Sequence, residues 1–276
     1  MFDLYTGILK MADSFHDDGS DVFIEYLLDA DYRCLCETYN LLEIAGKNSD
    51  FEKSVNLLNW VSSNIYHDGN YTNHIENTAM KLLEYSFGKS IENGINCRSL
   101  SLLLTECLLA VGIEARTIYI LPLSPFDFDN HVVCEAWIDD LNKWIMLDPS
   151  YNLYAAKDGK CLNVIELREA LANQEEIVFN EGANYNGDPI NKNELLEYYA
   201  KDLYRFMVAD KQGSNSESIE GRKMINIAPV GYDVLKCTLS NIDYRMKKWG
   251  DSENLRAWRK DAEAEKIIYK GLNFLY

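Results

Sequence analysis

The chain has 276 residues, 47% of them hydrophobic, and a formal net charge of -17. That length can bury a large core and still leave room for a cleft, while the charge repels phosphate backbones and argues against nucleic acid as a partner. No apolar run reaches the roughly 20 residues needed to span a bilayer, and Asp3, Lys10 and Asp13 interrupt the N-terminal stretch, so no membrane partner and a cytoplasmic, soluble chain are expected.

The acidity is uneven. Residues 241–276 hold eight Lys/Arg against six Asp/Glu, so the excess of acid lies in the first 240 residues. Solubility accounts for such a surface, which would also draw in a cationic peptide more readily than an acidic one. Seven cysteines, an odd number spread over a long chain, predict reduced thiols rather than a disulfide framework. Cys34 and Cys36 form a C-x-C pair without a second pair at zinc spacing.

In chain order, residues 1–45 read as largely helical and stop at Gly46. Ser49 and Glu52 make a capping box for a helix whose Phe51, Val55, Leu58, Val61 and Ile65 share one face. The turn signal His67-Asp68-Gly69-Asn70 follows, then a helical stretch from about Ile75 to Phe87, closed by Gly88. Asn96 is a plausible N-cap, which places Cys97 in the first turn of a helix carrying Leu100, Leu103, Leu104, Cys107, Leu108 and Val111. With Leu102 and Leu109 that helix is apolar nearly all round, as expected of one buried in a core. Ala115 to Leu121 reads as a strand. The loop Pro122 to Asp129 leads into a hairpin of His131 to Ile138, a turn at Asp139 to Asn142, and Lys143 to Asp148.

Further on, Asn163 and Glu166 predict a capped helix to about Leu171, and Ile177 to Phe179 a short strand. The Asn/Gly-rich stretch 180–193 predicts an irregular loop that borders the cleft or, as its composition favours, is plain surface. A helix is expected from Glu194 to about Ala209, a mobile segment from Gln212 to Gly221, strands at Met224 to Ala228 and Tyr232 to Leu239, and a last helix from Ser252 to about Lys270.

Three residues carry the chemistry. A thiol at a helix N-terminus is ionised more easily than a free one. Cys97 is the one cysteine with a glycine just before it and a helical core run after it. Side chains alternate along a strand and cross-strand partners share a face. A turn with an even number of residues therefore puts His131 and Asp148 on one face, and an odd one separates them. His131 could share the thiol proton, and Asp148 could orient the imidazole. His16, His67 and His74 have no such partner in the pattern and suit solvated loops.

With these residues the chain resembles the transglutaminase-like superfamily of papain-fold enzymes. The resemblance rests on Cys97 with its apolar run, Gly112-Ile113-Glu114-Ala115-Arg116, His131 with Trp137, and Lys143-Trp144 with Leu147-Asp148-Pro149, preceded by Leu58, Trp60, Val61 and Ile65. It covers about residues 50–155. Family members usually carry glycine two positions before the cysteine, whereas here Gly94 stands three before. The resemblance implies Cys97 as nucleophile, His131 as base and Asp148 as the orienting acid, with no metal or organic cofactor. It assigns no side-chain oxyanion donor, which leaves the backbone N–H of Cys97.

The implied architecture is α+β: a papain-like, transglutaminase-like core with a helical N-terminal layer and an antiparallel sheet. We read one domain over 1–276, made of a helical extension at 1–49, the catalytic core at 50–155 and a helical and stranded elaboration at 156–276. The implied activity is acyl transfer from a peptide or protein amide through a Cys97 thioester. Without a visible secretion signal or the added domains of cross-linking enzymes, hydrolysis is expected over cross-linking. The alternatives are an inactive peptide- or protein-binding module on the same fold, and an arylamine N-acetyltransferase, whose arginine-glycine environment before the cysteine is missing.

Overall fold

Side chains that alternate along the central strands divide the interior into two layers, one on each face of a six-stranded sheet. In a computed structural model, which describes residues 1–276, the strands lie in the order Ile268–Tyr269, Met224–Ile227, Arg205–Ala209, Ala115–Leu121, His131–Ile138, Lys143–Leu147. Neighbours are antiparallel except the pair Met224–Ile227 and Ile268–Tyr269, which is parallel.

Ala115, Cys134, Ala136, Ile145 and Leu147 face a helical layer built from α2 (Arg33–Tyr39), α3 (Leu41–Ala45), α4 (Asp50–Asn64), α5 (Ala79–Ser86) and α6 (Cys97–Ala110). Ile118, Ile120, Val133, Met146, Phe206 and Val208 face the other layer, made by α1 (Phe2–Met11), α7 (Val164–Ala172) and α8 (Lys192–Asp202). Two further helices, α9 (Val234–Trp249) and α10 (Glu253–Ala264), pack on each other. No helix is long and apolar enough to cross a membrane.

Local signals are obeyed where a cap or a glycine sets them. The boxes Ser49/Glu52 and Asn163/Glu166 start α4 and α7, and Gly88 and Gly112 take positive φ after α5 and α6, where a side chain would be strained. Helix α6 is buried on all sides from Ser99 to Leu109. The α+β class expected from the sequence is the class that forms.

Five expectations are corrected. Between α1 and α2 the chain is not helical: Asp17 and Asp18 accept from the backbone N–H groups of Gly19 and Ser20 at 2.9 and 2.8 Å, local bonds that compete with a helix. Glu25–Tyr26 then pairs with Lys211–Gln212. Helix α8 ends at Asp202, and Arg205–Ala209 is a strand, because Phe206 and Val208 alternate inward and pair with Ile120 and Ile118. The Tyr232 to Leu239 segment is mostly helix, since Asp233 caps α9 by accepting from the Lys236 N–H at 2.9 Å. The last helix stops at Ala264, and Ile268–Tyr269 joins the sheet edge. Gln212 to Gly221, expected to be mobile, is anchored instead: Gln212 is buried and accepts from the Thr117 N–H at 3.0 Å.

Arg116, from the Gly-Ile-Glu-Ala-Arg run, is 2% exposed and ties these pieces together. Its Nε and Nη2 donate to Glu135 Oε2 at 2.9 and 2.7 Å, Nη2 also donates to the Leu275 carbonyl, and the guanidinium lies 4.0 Å from the Trp144 ring centroid. The other Glu135 oxygen accepts the Val164 N–H at 2.8 Å, at the start of α7. Removing one member of such a pair strands the other charge in the core. Arg116→Leu should therefore cost about 3–5 kcal/mol of stability, read as a lower urea midpoint, and the double variant with Glu135→Leu should lose less than Arg116→Leu alone.

Candidate active site at the Cys97 helix start

Asn96 caps α6 through its side-chain oxygen, which accepts the Ser99 N–H at 3.1 Å, so the helix begins at Cys97. Three residues earlier the chain is pressed against the segment that follows α4. Ile95 N–H donates to the Tyr66 carbonyl at 3.0 Å and Asp68 N–H to the Ile95 carbonyl at 2.9 Å. A Cβ on Gly94 would lie 2.9 Å from Asp68 Cβ and 3.1 Å from the Tyr66 carbonyl oxygen. That approach explains why a glycine stands at 94, and Ile95, fully buried, can occupy the next position.

The hairpin turn contains four residues, with Ile138 opposite Lys143 and Cys134 opposite Leu147. Asn142 closes it in the left-handed region that asparagine tolerates. This even turn puts His131 and Asp148 on one face. His131 Nε2 lies 2.6 Å from Asp148 Oδ2, and both residues are buried. The same carboxylate oxygen accepts the Tyr199 hydroxyl at 2.6 Å, and Oδ1 accepts the Ser150 N–H at 2.9 Å. Their face is the one packed on α1, α7 and α8, whereas α6 lies on the opposite face. Cys97 and His131 meet nonetheless, because each is the first residue of its element and the two stand at the same end of the sheet. His131 acts on the thiol and lowers its pKa, and Asp148 takes the His131 Nε2, leaving Nδ1 free.

A second imidazole, unassigned in the sequence, also lowers the pKa of the Cys97 thiol: His67, from the turn after α4. Its Nδ1 is 3.0 Å from the Tyr185 hydroxyl. Asn186 clasps its backbone, accepting its N–H at 2.8 Å and donating to its carbonyl at 3.0 Å. The stretch 180–193 therefore borders the site through a small hairpin, Asn184–Tyr185 against Asp188–Pro189. Tyr151 and Tyr198 flank His131 with ring centroids at 5.8 and 5.5 Å. His67 lacks any local mark in the sequence, and Tyr199 reads there only as one residue of an amphipathic helix face. His16 instead stacks on Tyr269 and His74 packs on Tyr71 and Tyr85.

Burial by itself would push the Cys97 thiol up, but the neighbouring His131 and His67 imidazoles outweigh it and hold the pKa at about 6. For His131, burial disfavours the imidazolium, yet the adjacent Asp148 carboxylate raises it well above its ordinary value. Asp148 is kept low against its own burial by His131, Tyr199 and the Ser150 N–H. Burial pushes Cys36, Cys107, Cys134 and Cys161 upward. The two shifts run in the same sense, each favouring the charged pair of Cys97 thiolate and His131 imidazolium over the neutral one. No group of three or more His, Cys, Asp or Glu side chains converges as metal ligands would.

Two measurements check these shifts. Iodoacetamide labelling of Cys97 should rise with pH through a midpoint near 6, against about 8.5 for a free thiol, and His131→Ala should move that midpoint upward. Tyr199→Phe removes a hydrogen bond to a charged acceptor and should cost about 1.5–3 kcal/mol in a denaturation experiment.

A candidate cysteine protease from Cytophaga hutchinsonii is 19% identical, aligned over 49% of this chain and 48% of that one, with a TM-score of 0.31. A candidate protease from Parabacteroides distasonis is 13% identical over 52% of this chain and 26% of that one, also with a TM-score of 0.31. The chain thus spans about half the length of the first protein and a quarter of the second. Among proteins of curated function, none matches this sequence. Residues 41–149 match the sequence model of the Transglutaminase-like superfamily, a span that holds Cys97, His131 and Asp148. Over that core the chain is similar to the transglutaminase-like superfamily.

Proposed function

We propose that this chain is a thiol enzyme that cleaves or transfers the acyl group of a peptide or protein amide, acting as a cysteine protease or amidase. The observation that carries the reading is the buried His131 Nε2–Asp148 contact at 2.6 Å beside the Cys97 thiol, whose pKa His131 lowers.

In this reading the Cys97 thiolate attacks the carbonyl carbon, and the carbonyl oxygen takes up the electron pair and a negative charge. The backbone N–H of Cys97, at a helix start where N–H groups have no intrahelical acceptor, is directed at that charge. The His131 imidazolium gives its Nδ1 proton to the leaving nitrogen as the C–N bond breaks and a Cys97 thioester remains. Neutral His131 then takes a proton from the incoming water or amine as it bonds to the acyl carbon, the S–C bond breaks with its electron pair going to sulfur, and the thiolate–imidazolium pair is restored. Asp148 keeps its charge throughout and holds the ring in orientation. Water needs no binding subsite of its own, whereas an amine acceptor does, so hydrolysis is the simpler of the two fates.

Incubating the protein with glutamine-containing peptides and a labelled primary amine separates the outcomes: ammonia release, backbone cleavage or amine incorporation. Product should form with the native protein and be lost, by at least about 10³-fold, with Cys97→Ala. Equal behaviour of the two proteins would leave a binding module without turnover.

A further inference from the structure

The clasped histidine beside the thiol suggests a role that the trio of Cys97, His131 and Asp148 leaves open. We propose that His67 is a catalytic residue of this site: its Nε2–H is the side-chain donor that, with the Cys97 backbone N–H, binds the oxyanion formed when Cys97 attacks an acyl group. This rests on the thiol-enzyme reading above and adds a residue to it.

Three observations carry it. The first is position. His67 pairs with Ile95, two residues before Cys97, in a β-bridge, so its backbone is fixed to the strand that delivers the thiol. Gly94 permits the close approach, and Asn186 holds both polar groups of the His67 peptide backbone. The second is the unused nitrogen. Nδ1 is occupied by Tyr185, while Nε2 is buried without a hydrogen-bond partner. A buried polar atom left unpaired costs about 1–3 kcal/mol, a cost that a ligand atom placed there would remove. The third is the proton. A neutral imidazole carries one ring hydrogen, and a Tyr185 hydroxyl that donates to Nδ1, 3.0 Å away, leaves that hydrogen on Nε2 and fixes that tautomer.

A donor preset in this way can shift from the sulfur to the new oxyanion as negative charge moves from one to the other during attack. The charge develops within reach of Nε2–H, and no reorganisation of the loop is required. His67 loses no proton in the step. Proton transfer stays with His131, which alone has a carboxylate behind it.

The test compares two reactions of the same sulfur. With p-nitrophenyl acetate, the S–C bond forms, p-nitrophenolate leaves with the C–O electron pair, and Cys97 becomes acetylated through an oxyanion. With iodoacetamide, the sulfur displaces iodide at a saturated carbon and no oxyanion forms. His67→Ala should slow acetylation of Cys97 by about 10²–10³-fold, measured by the p-nitrophenolate burst and by mass of the protein. Alkylation, compared on the pH plateau of each variant, should change little. His67→Gln, which restores an N–H donor, should recover most of the acetylation rate, and Tyr185→Phe should give an intermediate loss while keeping both the fold and the ring. An undiminished burst in His67→Ala overturns the proposal, as does an equal loss in both reactions, which would mark His67 as acting on the thiolate alone. A native protein in which Cys97 is never acetylated would overturn the thiol-enzyme reading, and this inference with it.

Discussion

The 2.6 Å contact between His131 and Asp148 is buried on every side, and much of the surrounding structure exists to make it tolerable. Taking a charged carboxylate and an imidazolium out of water costs several kcal/mol for each ion unless the remaining lone pairs and protons are satisfied. Here the satisfaction comes from separate parts of the chain. The hairpin supplies both partners, the turn after it supplies the Ser150 N–H, and α8 supplies the Tyr199 hydroxyl. A change in any of these elements would be felt as an unpaired charge at the sheet end.

The buried Arg116–Glu135 pair is the second place where charge organises the fold, and it shares the strand His131–Ile138 with His131. It reaches outward to α7 and to Leu275, so residues distant in sequence close over the sheet. The chain after Pro149 is thus more than a covering. It contributes Tyr199 to Asp148, and Tyr185 and Asn186 to His67, which binds the C-terminal half of the chain to the chemistry of residues 41–149.

Much of this was legible where local physics decides. The N-cap at Asn96, the capping boxes, the strand Ala115–Leu121 and the register of the hairpin follow from side-chain oxygens, glycines and alternation, all of which act over a few residues. Misread segments share a different property: their local pattern suits two structures. Phe206 and Val208 fit a helix face or a strand, and pairing with Ile120 and Ile118 chose the strand. Val234 to Leu239 reads as a strand by composition, yet the cap at Asp233 and the packing of α9 on α10 made it helix.

The sequence by itself determined that a thiol would stand at the start of a buried helix, and that a histidine and an aspartate would share one face of a hairpin, because both follow from short-range periodicity. Only the tertiary structure decided that α6 and the two hairpin side chains, on opposite faces of the sheet, would meet around its end. It also decided that His67 would join them. His67 is placed by Gly94 across 27 residues of chain and by Asn186 across 119. No periodicity spans such separations, so contacts of that kind are set only when the whole chain packs.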